Sequence, residues 1–157
     1  RVLHVGKALD PGMQQQAHAE MRDNPRYRWL GEVPRWRALR ILAGSHLMVL
    51  SSLSEGGANV VSEALAVGVP IVASRIAGSV GLLGEDYPGY FPVQDTASLA
   101  ALLERVESDA GFYATLSDWA KQLAPLVEPE RELQTWAQLL QEWPSPRQSG
   151  GAPCRSL

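Results

Sequence analysis

Short apolar segments alternate along the chain with longer segments that carry the period of an α-helix. Strands that alternate with helices predict an α/β fold in which a parallel sheet is covered by helices on both faces. The first apolar segment is predicted to be a buried strand, and the third is continuously apolar in its middle, which is typical of strands covered on both faces. The five predicted strands are RVLHVG (1–6), YRWLG (27–31), HLMVLSS (46–52), VPIVAS (69–74) and GYFPV (89–93).

Capping and turn residues mark the boundaries of the predicted helices. Asp10 followed by Pro11 is an N-cap with a first-turn proline, and it predicts a helix to about Asp23. Gly68 followed by Pro70 predicts a helix end before the fourth strand. Further helices are predicted to open at Pro34, near Asn59 and at Asp95 or Thr96, and two more to run over about 111–125 and 129–143. We assign 1–143 to one partial domain and expect the polar tail 144–157 to be disordered.

Composition excludes several classes of protein. A net charge of −3 argues against a large surface that binds the phosphate backbone of a nucleic acid. No apolar run reaches the roughly 18 residues of a membrane span. The lone Cys154 and three histidines without metal-ligand spacing predict neither a disulfide framework nor a metal site. We therefore expect a cytoplasmic protein without a cofactor or a transmembrane segment. Because the chain begins at Arg1, inside a predicted strand, we also expect further sequence upstream.

Glu63 is one of only two strongly polar residues in the helix that is predicted to begin near Asn59. A helix that is apolar nearly all round is buried. A carboxylate at its edge is costly unless hydrogen bonds are donated to it. A vicinal diol of a ribose or a hexose is a suitable donor. The alternative is an acidic residue that is favoured by the helix dipole alone.

Glu55 precedes this helix, in the loop that leaves the carboxyl end of the third strand, where ligands of open α/β sheets bind. Gly56 and Gly57 allow positive φ and close approach by a ligand, although such a pair is often only a turn. The free amides at the helix start suit a phosphate. These three positions together suit a nucleotide sugar, with its sugar hydroxyls at Glu55, its phosphates at the amides and its ribose at Glu63.

The stretch SSLSEGGANVVSEALAVGVPIVAS (51–74) resembles the signature of family-4-type retaining glycosyltransferases of the GT-B fold. That signature is Glu, seven residues, Glu, and then Ala-x-Ala-x-Gly-x-Pro. The flanking stretches YRWLGEVPRWRALRILAGSHLMVLSS and FPVQDTASLAALLERVESD are similar to the family's adjoining elements, so the resemblance covers about residues 1–143.

The resemblance implies a Rossmann-like domain, the C-terminal half of a GT-B fold, that lacks its first strand–helix unit. It implies that Glu55 binds donor-sugar hydroxyls in the catalytic site and that Glu63 binds the ribose. The loop and helix start between them would contact the sugar and the diphosphate, and a turn before the second helix would meet the base. These two segments comprise Gly56, Gly57, Ala58, Asn59 and Val60, and Gly31, Glu32, Val33 and Pro34. Neither a metal ion nor a cofactor is implied.

Two family features have no match in this sequence. The Arg and Lys that neutralise the diphosphate are absent, and Lys7 lies on a different strand–helix unit. The N-terminal domain that binds the small-molecule acceptor is absent too. We therefore expect the chain alone to be inactive as a hexosyltransferase.

A narrower resemblance links EGGANVVSEALAVGVPIVASRIAGSVGLLGEDYPGYFPV (55–93) to selenosugar synthases of the selenoneine pathway. It implies transfer of N-acetylglucosamine from UDP-N-acetylglucosamine to selenophosphate. Arg75 and Gly78 either face the donor sugar or form a surface salt bridge and a turn. The alternatives to a glycosyltransferase are a sugar-nucleotide epimerase of similar architecture and a non-catalytic nucleotide-sugar-binding fragment.

Overall fold

A computed structural model describes residues 1–55 and 59–142. The strands are β1 (Val2–His4), β2 (Tyr27–Trp29), β3 (Met48–Leu50), β4 (Ile71–Ser74) and β5 (Tyr90–Phe91). The helices are α1 (Pro11–Asp23), α2 (Arg35–Ala43), α3 (Asn59–Ala66), α4 (Ala77–Leu83), α5 (Thr96–Ser108), α6 (Ala110–Leu123) and α7 (Pro129–Glu142), with a 3₁₀ turn at Ala124–Val127.

Every strand pair in the described ranges is parallel. Strand β1 pairs with β2, and β3, β4 and β5 pair in that order. Parallel neighbours need a crossover, and helices α1, α3 and α4 supply the crossovers within these pairs. The predicted α/β fold with parallel strands is therefore confirmed, although the described strands form two sheets instead of one.

Helix starts follow the predicted capping chemistry. The Asp10 side chain accepts a hydrogen bond from the Met13 amide at 2.9 Å, and Asp95 accepts one from the Ser98 amide at 2.9 Å. Each bond satisfies one of the free amides of a first helical turn. Helix α3 begins at Asn59, as predicted, and Gly68 follows it with a φ of +69°.

The core lies between the three-stranded sheet and helices α3, α4 and α6. All four residues of β4 are buried, because β4 is the central strand of its sheet and is covered by helices. The Trp119 indole on α6 donates to the Leu83 carbonyl at the end of α4, at 2.9 Å. Fully buried side chains in this core are Val61, Leu65, Ile71, Val72, Leu83 and Leu116.

The predictions that the first strand is buried and that the third is covered on both faces are wrong for the described residues. Val2 and Leu3 of β1 are exposed, and so is Val49 of β3, whereas Met48 is buried. The reason lies in the strand pairing. Among the described strands, β1 and β3 each have one hydrogen-bonded neighbour, so each is an edge strand of its sheet. Apolar sequence predicts the strands correctly but does not reveal which of them lie at an edge.

Helix α4 follows β4 where the sequence predicts no helix. Gly78 and Gly81 lie inside it, and glycine has a low helix propensity, so the local signal is weak. Helix α7 is amphipathic but exposed over its whole length, including the apolar side chains of Leu133, Trp136 and Leu140. No helix in the two described ranges is long and apolar enough to cross a membrane.

Leu65→Ala tests the position of the core. Leu65 is 1% exposed, so truncation should lower the free energy of unfolding by about 2–5 kcal/mol. Leu140, also on a helix but 71% exposed, is the matched control, and Leu140→Ala should change the free energy by less than about 0.5 kcal/mol. Denaturant unfolding measures both, and equal effects would contradict the assigned core.

Asp95→Ala tests the cap of α5 through its pH dependence. Hydrogen bonds from the Ser98 hydroxyl and then from the Ser98 amide lower the pKa of Asp95. The cap therefore stabilises the fold above the ordinary aspartate pKa of about 3.9, and this contribution is lost as pH falls through the lower folded pKa. Thermal melts should show Asp95→Ala less stable than the parent at pH 7, with the difference shrinking below pH 4.

Asp86→Ala is the control for this measurement, because the Asp86 side chain is exposed and forms no hydrogen bond within the described ranges. A pH-independent difference for Asp95→Ala would show that the charged cap is not responsible.

Candidate functional site

Glu55 lies in the loop after β3 and is held there by two serines. The Ser52 hydroxyl donates to Glu55 Oε1. The buried Ser74 hydroxyl, at the end of β4, donates to the Ser52 carbonyl at 2.7 Å. Because β3 and β4 are parallel, with Leu50 opposite Ala73, both strands end at the same sheet edge. The serines therefore fix the Glu55 loop at the carboxyl ends of the strands, where the sequence predicts the site.

Gly78, in the first turn of α4, lies directly against the backbone of Glu55. A Cβ atom at Gly78 would lie 2.6 Å from the Glu55 carbonyl oxygen, which is closer than real Cβ contacts. Only glycine permits this approach of helix to loop. Gly78 lies in a helix and not in a turn, and its contact with a donor sugar stays a prediction.

Glu63 lies at the edge of the buried helix α3, as predicted. Val61, Ala64 and Leu65 of that helix are buried, whereas the Glu63 side chain is 25% exposed. The hydrogen-bond donor that this carboxylate requires is present in the protein itself. Arg35, the first residue of α2, donates to Glu63 Oε1 from Nε at 3.2 Å and from Nη2 at 2.8 Å.

The predicted base-binding turn lies beside this ion pair. The Gly31 carbonyl at the end of β2 accepts from the Gly6 amide at 2.9 Å, and Gly31 has a φ of +65°. Pro34 ends the turn, and Arg35 follows directly at the start of α2. The pair between Arg35 and Glu63 thus joins the turn 31–34 to helix α3. Glu32 and Pro34 are exposed, and Val33 is half-buried.

The segment between the two glutamates is only partly described. Gly56, Gly57 and Ala58 lie outside the described residues. Asn59 is exposed at the start of α3, and Val60 packs against the core. The Val60 side chain therefore belongs to the core, and its backbone amide lies in the first turn of α3.

Arg75 follows β4 and has partners of its own. Its guanidinium pairs with the Glu85 carboxylate, donates to the Glu85 carbonyl at 2.8 Å, and lies 5.3 Å from the centre of the Tyr90 ring. Burial raises the pKa of Tyr90 to about 12, so its hydroxyl stays protonated at neutral pH. These contacts support the surface-salt-bridge interpretation of Arg75 over contact with a donor sugar.

Sequence reasoning did not identify Ser52, Ser74 or Arg35 as part of this site. Ser52 precedes Glu55 by three residues, a spacing typical of side chains that share a turn, and this signal was available. Ser74 and Arg35 act across 22 and 28 residues of chain, so no local pattern indicates them.

A cavity of about 510 Å³ lies elsewhere, beside β2, and none of the predicted site residues lines it. Its walls include Arg1, Met21, Tyr27 and Trp29. Within 1–55 and 59–142, no cluster of three or more His, Cys, Asp or Glu residues is arranged to hold a metal ion.

The family to which the chain belongs follows from comparison with known proteins. Residues 1–109 match the profile of the family "Glycosyl transferases group 1", and the chain is a member of it. It is 33% identical over 88 residues to TuaC of Bacillus subtilis (strain 168), a protein named for teichuronic acid biosynthesis and as a glycosyltransferase. That match covers 56% of this chain and 23% of TuaC.

Solved structures share the fold. Sucrose-phosphate synthase of Thermosynechococcus elongatus aligns with a TM-score of 0.72 and 21% identity, over 88% of this chain and 37% of its own. Anabaena HepE in complex with UDP aligns with a TM-score of 0.73 and 23% identity, over 88% of this chain and 40% of its own. HepE in complex with UDP-glucose aligns over 89% of this chain and 39% of its own, with a TM-score of 0.69 and 20% identity. The likeness confirms the predicted Rossmann-like α/β architecture of part of a GT-B fold, and this chain spans less than half of each of these relatives.

Gly78→Ala tests the contact that positions Glu55. The added methyl group must separate α4 from the loop, so we expect about 1–3 kcal/mol of destabilisation and a shift of the Glu55 backbone amide resonance. Gly81→Ala is the matched control in the same helix, because a Cβ there meets nothing within 4 Å. That variant should be neutral or more stable by up to about 1 kcal/mol. Denaturant unfolding and amide NMR measure both, and indistinguishable variants would contradict the contact.

Proposed function

We propose that this chain is the donor-binding part of a retaining glycosyltransferase that takes its sugar from a nucleotide sugar. The observation that supports the proposal most strongly is that Glu55 lies in the loop that leaves the carboxyl end of β3 and that Glu63 lies on α3, the helix that follows this loop. Membership of the glycosyltransferase family and likeness to protein chains solved with UDP and UDP-glucose add to it. The acceptor would bind to a domain outside this chain, and transfer by the chain alone would be negligible.

The two carboxylates would bind the two polyol ends of the donor. Glu63 would accept hydrogen bonds from ribose hydroxyls, and Glu55 would accept them from hydroxyls of the transferred sugar. Each carboxylate has an oxygen, Oε2, that forms no hydrogen bond in the described part of the chain, while Oε1 is held by Ser52 or Arg35. Side chains that are already held in place lose less conformational freedom when the ligand binds.

The diphosphate would lie between the carboxylates, against the first turn of α3. The first amides of a helix have no intrahelical partner, and the helix dipole favours an anion there. Negative charge grows on the diphosphate as the glycosidic bond breaks, so fixed donors at this position stabilise the transition state. No metal ion is required in this scheme.

UDP-N-acetylglucosamine is our preferred donor, and selenophosphate is the corresponding acceptor. This preference rests on the resemblance of residues 55–93 to selenosugar synthases. UDP-glucose is the comparison donor, because it differs at the sugar and shares the nucleotide. A clear preference of the chain for UDP-glucose would contradict this part of the proposal.

Calorimetry with the two glutamate variants tests the assignment of the two ends. Glu63→Ala should lower the affinity for UDP at least tenfold, because a hydrogen bond to a charged group contributes about 1.5–3 kcal/mol. Glu55→Ala should weaken UDP-N-acetylglucosamine by a similar factor but leave UDP within about twofold, since UDP has no transferred sugar.

Glu104→Ala is the control for lost negative charge, because Glu104 is exposed on α5 and its side chain forms no ion pair in the described ranges. Its affinities should equal those of the parent chain. Failure of the parent chain to bind UDP, or equal binding by Glu63→Ala, would contradict the proposed donor site.

A further inference from the structure

Arg35 is attached to the proposed donor site by an unequal ion pair. Its side chain is 79% exposed, whereas that of its partner Glu63 is 25% exposed. A pair with one largely exposed member contributes little to the stability of a fold. The position of Arg35, at the start of α2 and beside the turn 31–34, therefore calls for another explanation than stability.

The ion pair leaves most of the hydrogen-bonding capacity of Arg35 unused. A guanidinium carries five N–H donors, and the Nε–H and one Nη2–H point to Glu63 Oε1. The other three donors form no hydrogen bond within residues 1–55 and 59–142, and they lie on an exposed group whose fork geometry suits phosphate. Arg35 is thus able to keep Glu63 as a partner while it binds an anion.

Charge balance at the site favours such a role. Glu55 and Glu63 bring two carboxylates to the place where a diphosphate would bind, and like charges at close range repel. Arg75, at the end of the neighbouring strand, is engaged by Glu85. Among the described residues, Arg35 is the cation that forms an ion pair with one of the two site glutamates. It offsets the charge of Glu63 and offers further donors at the same point.

We propose that Arg35 is a phosphate-binding residue that bridges Glu63 to the diphosphate of the nucleotide ligand. This inference rests on the proposed function and adds a residue to the same site. Glu63 orients the guanidinium, and the diphosphate binds the N–H groups that do not face Glu63 without breaking the pair. Arg35 would then supply positive charge to the diphosphate from the side of α2.

The test measures binding of UDP and uridine to the chain and to Arg35→Ala, Arg35→Lys and Arg37→Ala, by calorimetry and by NMR titration. Arg37 is the matched control, because it is exposed on the same helix and its side chain forms no hydrogen bond in the described ranges. Arg35→Ala should lower the affinity for UDP at least fivefold and change the affinity for uridine less than twofold. Arg35→Lys should recover part of the loss, and Arg37→Ala should equal the parent chain.

The salt dependence of UDP binding is a second readout, and it does not require a measurable affinity for uridine. Affinity of the parent chain should fall more steeply with salt than affinity of Arg35→Ala, since a charge–charge contact is screened. Unchanged or tighter UDP binding by Arg35→Ala, equal salt slopes, or an equal loss for uridine and UDP would overturn the inference. If the parent chain binds neither ligand, the proposed function itself fails, which is a different result from an unaffected Arg35→Ala.

Discussion

The close packing of the Glu55 loop against the start of α4 is the constraint on which the candidate site depends. Because β3 and β4 are parallel, the segments that follow these two strands leave the sheet at the same edge. Gly78 lets them touch, and Ser74 ties one to the other through Ser52. A side chain at Gly78 or the loss of these hydroxyls would release the loop that carries the first glutamate. The site is thus a consequence of the sheet topology and not of the loop sequence alone.

Local interactions explain which parts of the fold the sequence predicts well. Asp10 and Asp95 cap helices through residues three positions away, so a short window of sequence contains the whole interaction. The boundary of α3 at Gly68 is equally local, because a positive φ there suits glycine. The start of α3 near Asn59 and the position of Glu63 at the edge of that helix were also predicted from neighbouring residues.

Non-local interactions explain what the sequence did not predict. Burial of β1 was overestimated, because the apolar sequence of a strand does not reveal how many neighbours it has. Helix α4 was missed, since its two glycines weaken the helix signal and its packing against Glu55 requires one of them. Glu63 was expected to find its hydrogen-bond donor in a ligand, yet Arg35 supplies one from 28 residues away. The roles of the individual site residues in binding remain predictions.

The account joins these features in one chemical scheme, in which Glu55 and Glu63, each with one oxygen that has no hydrogen bond among the described residues, bind the two ends of the ligand beside the start of α3. A structure of the chain with UDP bound tests this claim most directly. The account predicts ribose hydroxyls within about 2.6–3.2 Å of the Glu63 carboxylate and the diphosphate against the first turn of α3. UDP bound away from α3, or a ribose with no contact to Glu63, would contradict it.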